Sequence, residues 1–518
     1  MSNINLRVRS TIPAILLTAF LSALPVGGQE RPNVLLIYAD DLGYGDVECY
    51  NPACKIPTPN LNRLAAEGMR FTDAHSPSTV CTPSRYGVMT GRMPFRTNYQ
   101  GVFVGVQGPC LIEANRLTLP EMLQQQGYRT ALFGKWHLGL TFLDHDGQPV
   151  YETNDQRNAD LVRHADLSRV IPDGPLAHGF DKFFGTACCP TTDWLYAYID
   201  GDRIPVQPTK IRDLSQLPNH PYARDCRAGL VAPGFDFEEI DILFLEKSKA
   251  FLEHHVEHHP GQPFFLFHSA QAVHLPSFAG RNFQGKTSAG PHGDFIFELD
   301  HIVGELLNTL ERLQIADHTL VIFSSDNGPE VPTTLQMRTD HAHDSARPWR
   351  GLKRDQWEGG HRVPFLVRWP GKIHSGSISN ETICQTDLMH TCAALSHAEL
   401  PADTAEDSFN LLPIFLGEEI GEPVRPFTLH QTINLSLAIR RGPWKYLDHR
   451  GSGGNHYEHK HLQHLVIPED VSAAGQLYNL EQDPGETHNL YHKHPEIVRE
   501  LKELLDATRK SDRSRPIH

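Results

Sequence analysis

"NVLLIYADDLGYGDV", residues 33–47, decides the fold class of this 518-residue chain. After Asn33, residues 34–39 form an unbroken apolar run, which is typical of a strand buried on both faces of a parallel sheet. Asp40 and Asp41 follow directly. Because ligands of open α/β sheets bind beyond the carboxyl ends of the strands, the stretch predicts both a buried sheet and a polar edge.

Similar apolar runs recur along the chain at 129–133, 263–269, 318–325 and 363–369. Helices with recognisable ends lie between these runs. Thr58 and Pro59 mark the start of one helix and Gly68 marks its end, while 295–313 is a long amphipathic stretch. The alternation predicts an α/β fold with a large central, mostly parallel sheet flanked by helices.

The composition changes near residues 400–425, which have the composition of loops. Beyond them, four short strand-like runs precede a final helix at about 495–509, which predicts a smaller C-terminal antiparallel α+β subdomain. The predicted organisation is a signal peptide at 1–28, a main α/β domain at 29–415 and the C-terminal subdomain at 416–518.

The first 28 residues have the layout of a secretory signal. Arg7 and Arg9 precede the apolar run 11–24, and small residues follow at 26–28. This arrangement is typical of a cleaved signal peptide, and the apolar run is too short for a confident membrane anchor. We therefore expect a secreted or periplasmic protein with no stable membrane insertion after cleavage.

Charge and cysteine content narrow the possible partners. The formal net charge is −15, and it becomes −17 once Arg7 and Arg9 leave with the signal. Such a charge argues against binding to nucleic acid or to an anionic membrane, so an anionic substrate would need a locally basic pocket. With Cys81 set aside, the other eight of the nine cysteines could form disulfides in an oxidising compartment or remain reduced in the core.

Oxygen-bearing side chains follow two of the predicted strands. Asp40 and Asp41 follow the first strand, and Asp326 and Asn327 follow the strand at 318–325. Hard oxygen ligands of this kind suit calcium or magnesium, and a crowded, flexible set favours calcium. Alone, each motif would more often be an ordinary turn, but their placement at one sheet edge favours a metal site.

Basic side chains are expected at the same edge. Lys135 and His137 follow the strand at 129, His274 follows the strand at 263, and Lys353 lies on the loop before the strand at 363. Together with Arg85 they could hold a tetrahedral oxyanion and transfer protons.

Cys81 occupies an unusual position. Pro83 suits the first turn of a helix that runs toward Gly91, so Cys81 would lie at the N-terminal end of that helix with Arg85 one turn further on. A thiolate would be stabilised there and nucleophilic. However, a soft thiolate matches a hard, all-oxygen cation site poorly.

At this point the sequence resembles the formylglycine-dependent, arylsulfatase-like sulfatases of the alkaline phosphatase superfamily. The resemblance extends from about residue 31 to residue 495 in the family's order. The matching stretches are 33–47, 58–92 with its C-x-P-x-R motif at Cys81, 127–139, 323–330, 350–364 and 477–490. Together these motifs are far more specific than the pentapeptide alone.

The resemblance implies that a separate maturation enzyme oxidises Cys81 to formylglycine (3-oxoalanine). The hydrated aldehyde would be an oxygen ligand, which removes the mismatch with a hard cation. One hydroxyl of this gem-diol would attack sulfur, and loss of the proton of the other would expel sulfate. A plain serine ester has no such exit.

The resemblance also implies roles for the remaining residues. Asp40, Asp41, Asp326 and Asn327 correspond to calcium ligands, together with the modified Cys81. Arg85 and Lys135 correspond to residues that orient the diol and neutralise charge. His137 corresponds to the base that opens the intermediate. His274 and Lys353 correspond to the groups that bind sulfate and protonate the leaving oxygen, although His268 lies close to His274 in the chain.

The function implied is hydrolysis of sulfate monoesters, with a sulfated polysaccharide or oligosaccharide as the expected substrate of an exported enzyme. One alternative is a phosphatase, phosphodiesterase or phosphonate hydrolase of the same superfamily. Another is an inactive glycan-binding protein on a sulfatase scaffold. Trp194, Tyr196 and Tyr198 could stack on a sugar or lie in the core, and the stretches 185–203 and 333–349 carry no motif that names the substrate.

Overall fold

The computed structural model describes Met1 and residues 31–151, 159–457 and 471–516. The predicted signal peptide therefore lies outside the described residues, apart from Met1. The chain divides into two compact units, Met1–Arg31 and Pro32–His518, and the second contains all the elements below. The predicted boundary between residues 415 and 416 within that second unit stays a prediction.

A nine-stranded sheet forms the centre of the second unit. Its strand order is β13-β2-β12-β11-β1-β10-β4-β5-β7. The strands are β1 (Asn33–Ala39), β2 (Met69–Phe71), β4 (Arg129–Lys135), β5 (Lys182–Thr186), β7 (Ile199–Asp200), β10 (Phe264–Ser269), β11 (Thr319–Ser325), β12 (Phe365–Arg368) and β13 (Ser377–Ser379).

The β1 strand lies in the middle of this sheet and is buried on both faces. It runs parallel to β10 and to β11. Val34 and Leu36 join the hydrophobic core on one face, and Leu35 and Ile37 join the core on the other. Successive side chains of a strand point to opposite faces, so an unbroken apolar run is what a sheet covered on both sides requires. The predicted fold class is confirmed.

One of the predicted strands runs in an unexpected direction. The β12 strand, from the apolar run 363–369, pairs antiparallel with β11 and also with β2. Both of its faces are covered, and its four residues are all buried. An apolar pattern reports burial but carries no information about direction, so the sequence could not distinguish the two orientations.

Helices cover both faces of the central sheet, and the last described helix packs instead on a separate C-terminal sheet. They are α1 (Pro59–Glu67), α2 (Cys81–Thr90), α3 (Leu119–Gln125), α4 (Ala159–His164), α5 (Ile240–His258), α6 (Gly290–Arg312), α7 (Val331–His341), α8 (Glu358–His361), α9 (Leu388–Ser396), α10 (Leu412–Phe415) and α11 (Pro495–Lys510). The α1 helix has Pro59 as its first residue and Gly68 directly after its end, as the sequence predicts.

The C-terminal part forms a separate antiparallel sheet of four strands in sequential order. Leu501 and Leu505 of α11 pack against Ile439 and Tyr446 of this sheet. The predicted C-terminal α+β architecture is confirmed. The strands are β15 (Thr428–Gln431), β16 (Leu437–Arg441), β17 (Trp444–Leu447) and β18 (Gln476–Asn479).

Five short strands lie outside these two sheets. The β3 and β14 strands pair in parallel, and a three-stranded sheet has the order β6-β9-β8. These strands are β3 (Ala74–His75), β6 (Leu195–Tyr196), β8 (Lys210–Ile211), β9 (Leu230–Val231) and β14 (Ile383–Cys384).

All nine cysteines lie in described residues, and each is a free thiol there. Of the two possibilities left by the sequence, the structure therefore contains the reduced form. Among the described helices, none combines the length and the apolar character needed to cross a bilayer.

Candidate active site

The sequence-predicted oxygen ligands meet at one edge of the central sheet. Asp40 and Asp41 follow β1, and Asp326 and Asn327 follow β11. In the register of these two neighbouring strands, Ala39 lies opposite Ser325, so the two acidic segments leave the sheet side by side. The backbone N–H of Asp41 donates to Oδ1 of Asp326 at 3.2 Å.

Arg85 binds this edge from α2. Its Nε and Nη2 donate to Oδ2 of Asp326 at 3.1 and 2.9 Å, and its Nη1 donates to Oγ of Ser269 at 2.6 Å. The guanidinium is 1% exposed. Although burial opposes its charge, Asp326 and Asp40 raise the pKa of Arg85 further above its ordinary value. Arg85 is therefore a permanent positive charge beside the acidic residues.

Lys135, the last residue of β4, binds Asp40. Its Nζ donates to Oδ2 of Asp40, and neither side chain is exposed. Burial by itself would raise the pKa of Asp40, but Lys135, His274 and Arg85 together hold it well below the usual range. Asp40 is therefore ionised, and its other oxygen, Oδ1, is buried without a hydrogen-bond partner.

Lys353 and Asn327 bind Asp41. Lys353 Nζ lies 2.6 and 2.8 Å from the two carboxylate oxygens of Asp41, and Nδ2 of Asn327 donates to Oδ1 of Asp41 at 2.7 Å. Among the described residues, Oδ1 of Asn327 also has no hydrogen-bond partner and is buried. Both of these unpartnered oxygens, in Asp40 and Asn327, belong to residues predicted to bind a cation.

Cys81 is the first residue of α2, and its side chain is 1% exposed. Donor atoms of Cys81, Asp40, Asp41 and His274 all lie within 4.8 Å of one another. Burial raises the pKa of the Cys81 thiol well above its ordinary value, even though Lys135 and Lys353 oppose that change. The stabilised thiolate expected from the helix N-terminus is therefore wrong for this protein environment, because desolvation of the thiolate outweighs the neighbouring cations.

The two histidines are each fixed by a backbone carbonyl. His137 Nε2 lies 2.8 Å from the carbonyl oxygen of Phe103, and His274 Nδ1 lies 2.5 Å from that of Leu275. His274 Nε2 is 3.7 Å from Oδ2 of Asp41. His268, the neighbour considered in the sequence, instead pairs with Ser248 at 2.9 Å.

The two histidines differ in charge. Burial and then Lys135 lower the pKa of His137. Burial acts in the same direction on His274, but Cys189 and the two carboxylates Asp41 and Asp40 outweigh it and raise the pKa of His274 to about 9. At neutral pH His137 is neutral and His274 is charged, so the first can accept a proton and the second can donate one.

Two residues of this site were missed in the sequence. Ser269 bridges Arg85 and the carbonyl oxygen of Lys135, to which its Oγ donates at 2.7 Å. Cys189 contacts both histidines. The available signal for Cys189 was the pair Phe183 and Phe184 within the stretch 182–186, which forms β5 beside β4 and directs the following residues to the same sheet edge.

The aromatic residues considered for sugar stacking pack mainly into the protein. Tyr196 is fully buried, and its hydroxyl donates to the carbonyl oxygen of Arg227 at 2.9 Å. Tyr198 stacks on Phe235 at a centroid distance of 4.6 Å. Trp194 is half-buried and packs against one of the two main core clusters. For Tyr196 and Tyr198 the structure therefore contains the core alternative.

Comparison with known proteins identifies the chain's relatives. The family model for sulfatases matches residues 32–398. The N-acetylgalactosamine-6-O-sulfatase of Bacteroides thetaiotaomicron is 33% identical over 500 residues, which cover 93% of this chain and 93% of that protein. Arylsulfatase A of Homo sapiens is 32% identical over 503 residues, which cover 95% of this chain and 90% of that protein.

The fold agrees with these sequence relationships. One solved structure comes from work on the metabolism of multiple glycosaminoglycans by Bacteroides thetaiotaomicron. It superposes on this chain with a TM-score of 0.79 at 30% sequence identity, and the match covers 93% of this chain and 100% of that chain. The chain therefore belongs to the sulfatase family of the alkaline phosphatase superfamily, and its activity is the hydrolysis of sulfate esters.

Proposed function

We propose that this sulfatase removes sulfate from sulfated glycans by means of a formylglycine at position 81 and a bound calcium ion. The first substrate to test is 6-O-sulfated N-acetylgalactosamine, since a relative that aligns with 93% of this chain is named for that sugar. The observation that carries the proposal is the joining of three carboxylates, an amide, Cys81 and three cations in one buried site.

The donor set suits a hard divalent cation. Asp40, Asp41, Asp326 and Asn327 offer oxygen, and two of those oxygens are buried without any hydrogen-bond partner. The three carboxylates are balanced by Arg85, Lys135 and Lys353. A divalent ion would therefore leave the site with a net positive charge, which would attract an anionic sulfate ester. Calcium would supply polarisation of the sulfate oxygens.

Position 81 suits a formylglycine better than a thiol. Burial raises the pKa of the thiol, so an unmodified Cys81 would be a poor nucleophile at neutral pH. Once formed at position 81, a hydrated aldehyde would offer two hydroxyls in place of one thiol, and these would supply the chemistry for attack on sulfur and for release of sulfate. A maturation enzyme that oxidises the cysteine is the partner this requires.

The remaining side chains bind the sulfate group, transfer protons and stabilise charge. Lys353 and His274 bind the sulfate group, and His274 gives its Nε2 proton to the leaving oxygen. His137 accepts a proton from the modified residue when sulfate is released. Lys135 and Arg85 hold the negative charges in place around the reacting atoms.

The complete set of polar groups also argues against an inactive scaffold. The expected location of the protein is the periplasm or the cell exterior.

The test is a desulfation assay of the enzyme, co-expressed with a formylglycine-generating enzyme, on a panel of sulfated glycans and matched phosphate esters. Turnover of sulfated glycans, together with formylglycine in the Cys81 peptide by mass spectrometry, would support the proposal. Turnover of phosphate esters alone, or an intact thiol in fully active protein, would contradict it.

A further inference from the structure

Cys189 occupies a position that the reaction outlined above does not use. It follows β5, and the chain there runs alongside the segment that carries the site's lysine and histidine. The backbone N–H groups of Trp136 and His137 donate to the carbonyls of Thr186 and Ala187, at 3.1 and 2.9 Å. This pairing places Cys189 at the same sheet edge, with 7% of its surface exposed.

The sulfur of Cys189 lies between the two site histidines. Sγ is 3.7 Å from Nε2 of His274 and 4.0 Å from Nδ1 of His137, both within the range of a hydrogen bond to sulfur. Among the described residues, no other side chain forms hydrogen bonds to both of these rings.

In each of the two histidines, the ring nitrogen that faces a backbone carbonyl, here called the outer nitrogen, determines the hydrogen bonding of the other, inner nitrogen. His137 Nε2 and His274 Nδ1 each face a backbone carbonyl, which can only accept a hydrogen bond. Both outer nitrogens must therefore carry hydrogen, a tautomer assigned from their partners. The nitrogens left to exchange protons with the substrate or the modified residue are the inner ones, and both face the sulfur.

We propose that Cys189 is a positioning residue whose sulfur sets the orientation of the inner nitrogens of His137 and His274. This inference rests on the proposed function, which assigns a proton transfer to each histidine. Loss of the sulfur would leave the His137 ring held by one carbonyl, and the His274 ring held by one carbonyl and its 3.7 Å contact with Asp41, so His137 should lose more of its orientation. Proton transfer depends on alignment, so the chemical step would slow more than substrate binding.

The character of the sulfur supports this role. Burial by itself would raise the pKa of Cys189, but His274, Lys135 and His137 together hold it well below the ordinary value. The sulfur can therefore accept a hydrogen bond from Nε2 of His274, 3.7 Å away. The adjacent Cys188 differs, because it packs in the hydrophobic core with its sulfur 3.9 Å from the carbonyl oxygen of Gly105, and burial raises its pKa.

The test compares Cys189→Ala, Cys189→Ser and the control Cys188→Ala in matured enzyme on a sulfated-glycan substrate. We expect Cys189→Ala to lower kcat by about 10²-fold while KM changes less than kcat, because a misplaced group of this kind has roughly that effect. Serine keeps a donor and acceptor at the position and should restore part of the loss. Cys188→Ala should keep kcat near wild type.

Two results would overturn the inference. One is a kcat for Cys189→Ala equal to that of the wild-type enzyme, in an assay in which the wild type turns over substrate. The other is equal loss of kcat in Cys189→Ala and Cys188→Ala together with equal loss of thermal stability, since that would reflect folding alone.

A second measurement needs no turnover and separates this inference from the proposed function. Iodoacetamide alkylation of Cys189 at neutral pH is followed by peptide mass spectrometry in wild type and in His274→Gln. Slower alkylation in the variant is expected, because the sulfur loses the imidazole N–H that faces it at 3.7 Å, and an unchanged rate would contradict the contact. If the wild type desulfates no glycan, the proposed function fails and this rate still decides whether Cys189 and His274 interact.

Discussion

At the scale of single residues, two buried oxygen atoms favour a cation in the site. Oδ1 of Asp40 and Oδ1 of Asn327 are buried with no hydrogen-bond partner among the described residues. Leaving such an atom unpaired costs roughly 1–3 kcal/mol. A cation at this edge of the sheet would satisfy both atoms, so the site should be more stable when it is filled.

Asn327→Ala should weaken calcium binding. The amide offers one unpaired oxygen to the site and also donates to Asp41, so its loss removes a ligand and loosens a second one. We expect at least the roughly 10–100-fold loss of metal affinity that removal of an outer partner causes. Isothermal titration of calcium into chelated protein measures it, with the exposed Asn380→Ala as control. Equal affinities in the two variants would contradict the assignment.

Cys81→Ser should abolish multiple turnover. A serine provides one hydroxyl, so a sulfate ester formed on it has no second hydroxyl to expel the sulfate. We expect at most a single turnover, with a stable sulfated protein visible by intact mass spectrometry. Cys392→Ala, which changes another buried thiol in α9, serves as control. Sustained turnover by Cys81→Ser would argue against the two-hydroxyl mechanism.

At the scale of single elements, the position of α2 matters for the site, because Cys81 is its first residue. The helix ends at Gly91, which has φ of 65° and donates its N–H to the carbonyl oxygen of Gly87. A Cβ at Gly91 would lie 2.8 Å from Cβ of Met389. The glycine thus allows both the left-handed turn and the close approach of α9.

Gly91→Ala should therefore destabilise the fold by about 2–4 kcal/mol, combining left-handed strain with overpacking. Gly127→Ala is a matched control, since Gly127 also has positive φ but has nothing within 4 Å of an added Cβ. The control should lose only about 1–2 kcal/mol. Urea unfolding midpoints measure both variants, and equal midpoints would show that the contact with α9 is unimportant.

Glu330 caps the start of α7 and couples it to the loop that carries Lys353. It accepts from the N–H of Val331 at 2.8 Å and pairs with Arg354. Burial alone would raise the pKa of Glu330, but Arg354 and Lys353 lower it to about 2. A lowered pKa in the folded state gives stability that is present above the unfolded pKa and lost as the pH falls.

Glu330→Gln should flatten this dependence between about pH 4.5 and pH 2. The pKa difference of roughly 2.5 units corresponds to about 3 kcal/mol at most. The free energy of unfolding is measured by urea titration across that range, with the exposed Glu257→Gln as control. If wild type and Glu330→Gln lose stability in parallel as the pH falls, the ion pair contributes nothing to acid stability.

At the scale of the whole molecule, the site joins parts of the chain that are far apart in sequence. Lys353 and Asp41 are 312 positions apart, and Arg85 and Asp326 are 241 apart. A cation bound among these residues binds the folded chain and not the unfolded one. Metal binding and folding should therefore be coupled.

Chelation with EGTA should lower the thermal midpoint, and added calcium should restore it. At a free calcium concentration of about one hundred times Kd, the expected stabilisation is about 2.7 kcal/mol. Differential scanning fluorimetry measures the shift, and a magnesium series tests which ion is preferred. A thermal midpoint that changes with neither calcium nor magnesium would contradict a metal centre.

The sequence by itself determined the elements whose pattern is long and uniform. The strands β1, β4, β10 and β11 have six or seven residues each, and the apolar stretch at the centre of each indicates burial on two faces. It also placed acidic and basic residues at the strand ends, and its motifs identified the family. Short strands such as β2, β7 and β13 were missed, because two or three residues carry no readable period.

Only the tertiary structure decided which of these groups touch. The direction of β12, the reduced state of the cysteines and the pairing of Lys353 with Asp41 depend on contacts between distant segments. Cys188 and Cys189 are neighbours of the same type, yet one packs in the core and the other faces two histidines. Their difference comes from the path of the irregular segment after β5, which turns one side chain into the core and the other toward the site, and residue type alone contains no information about that path.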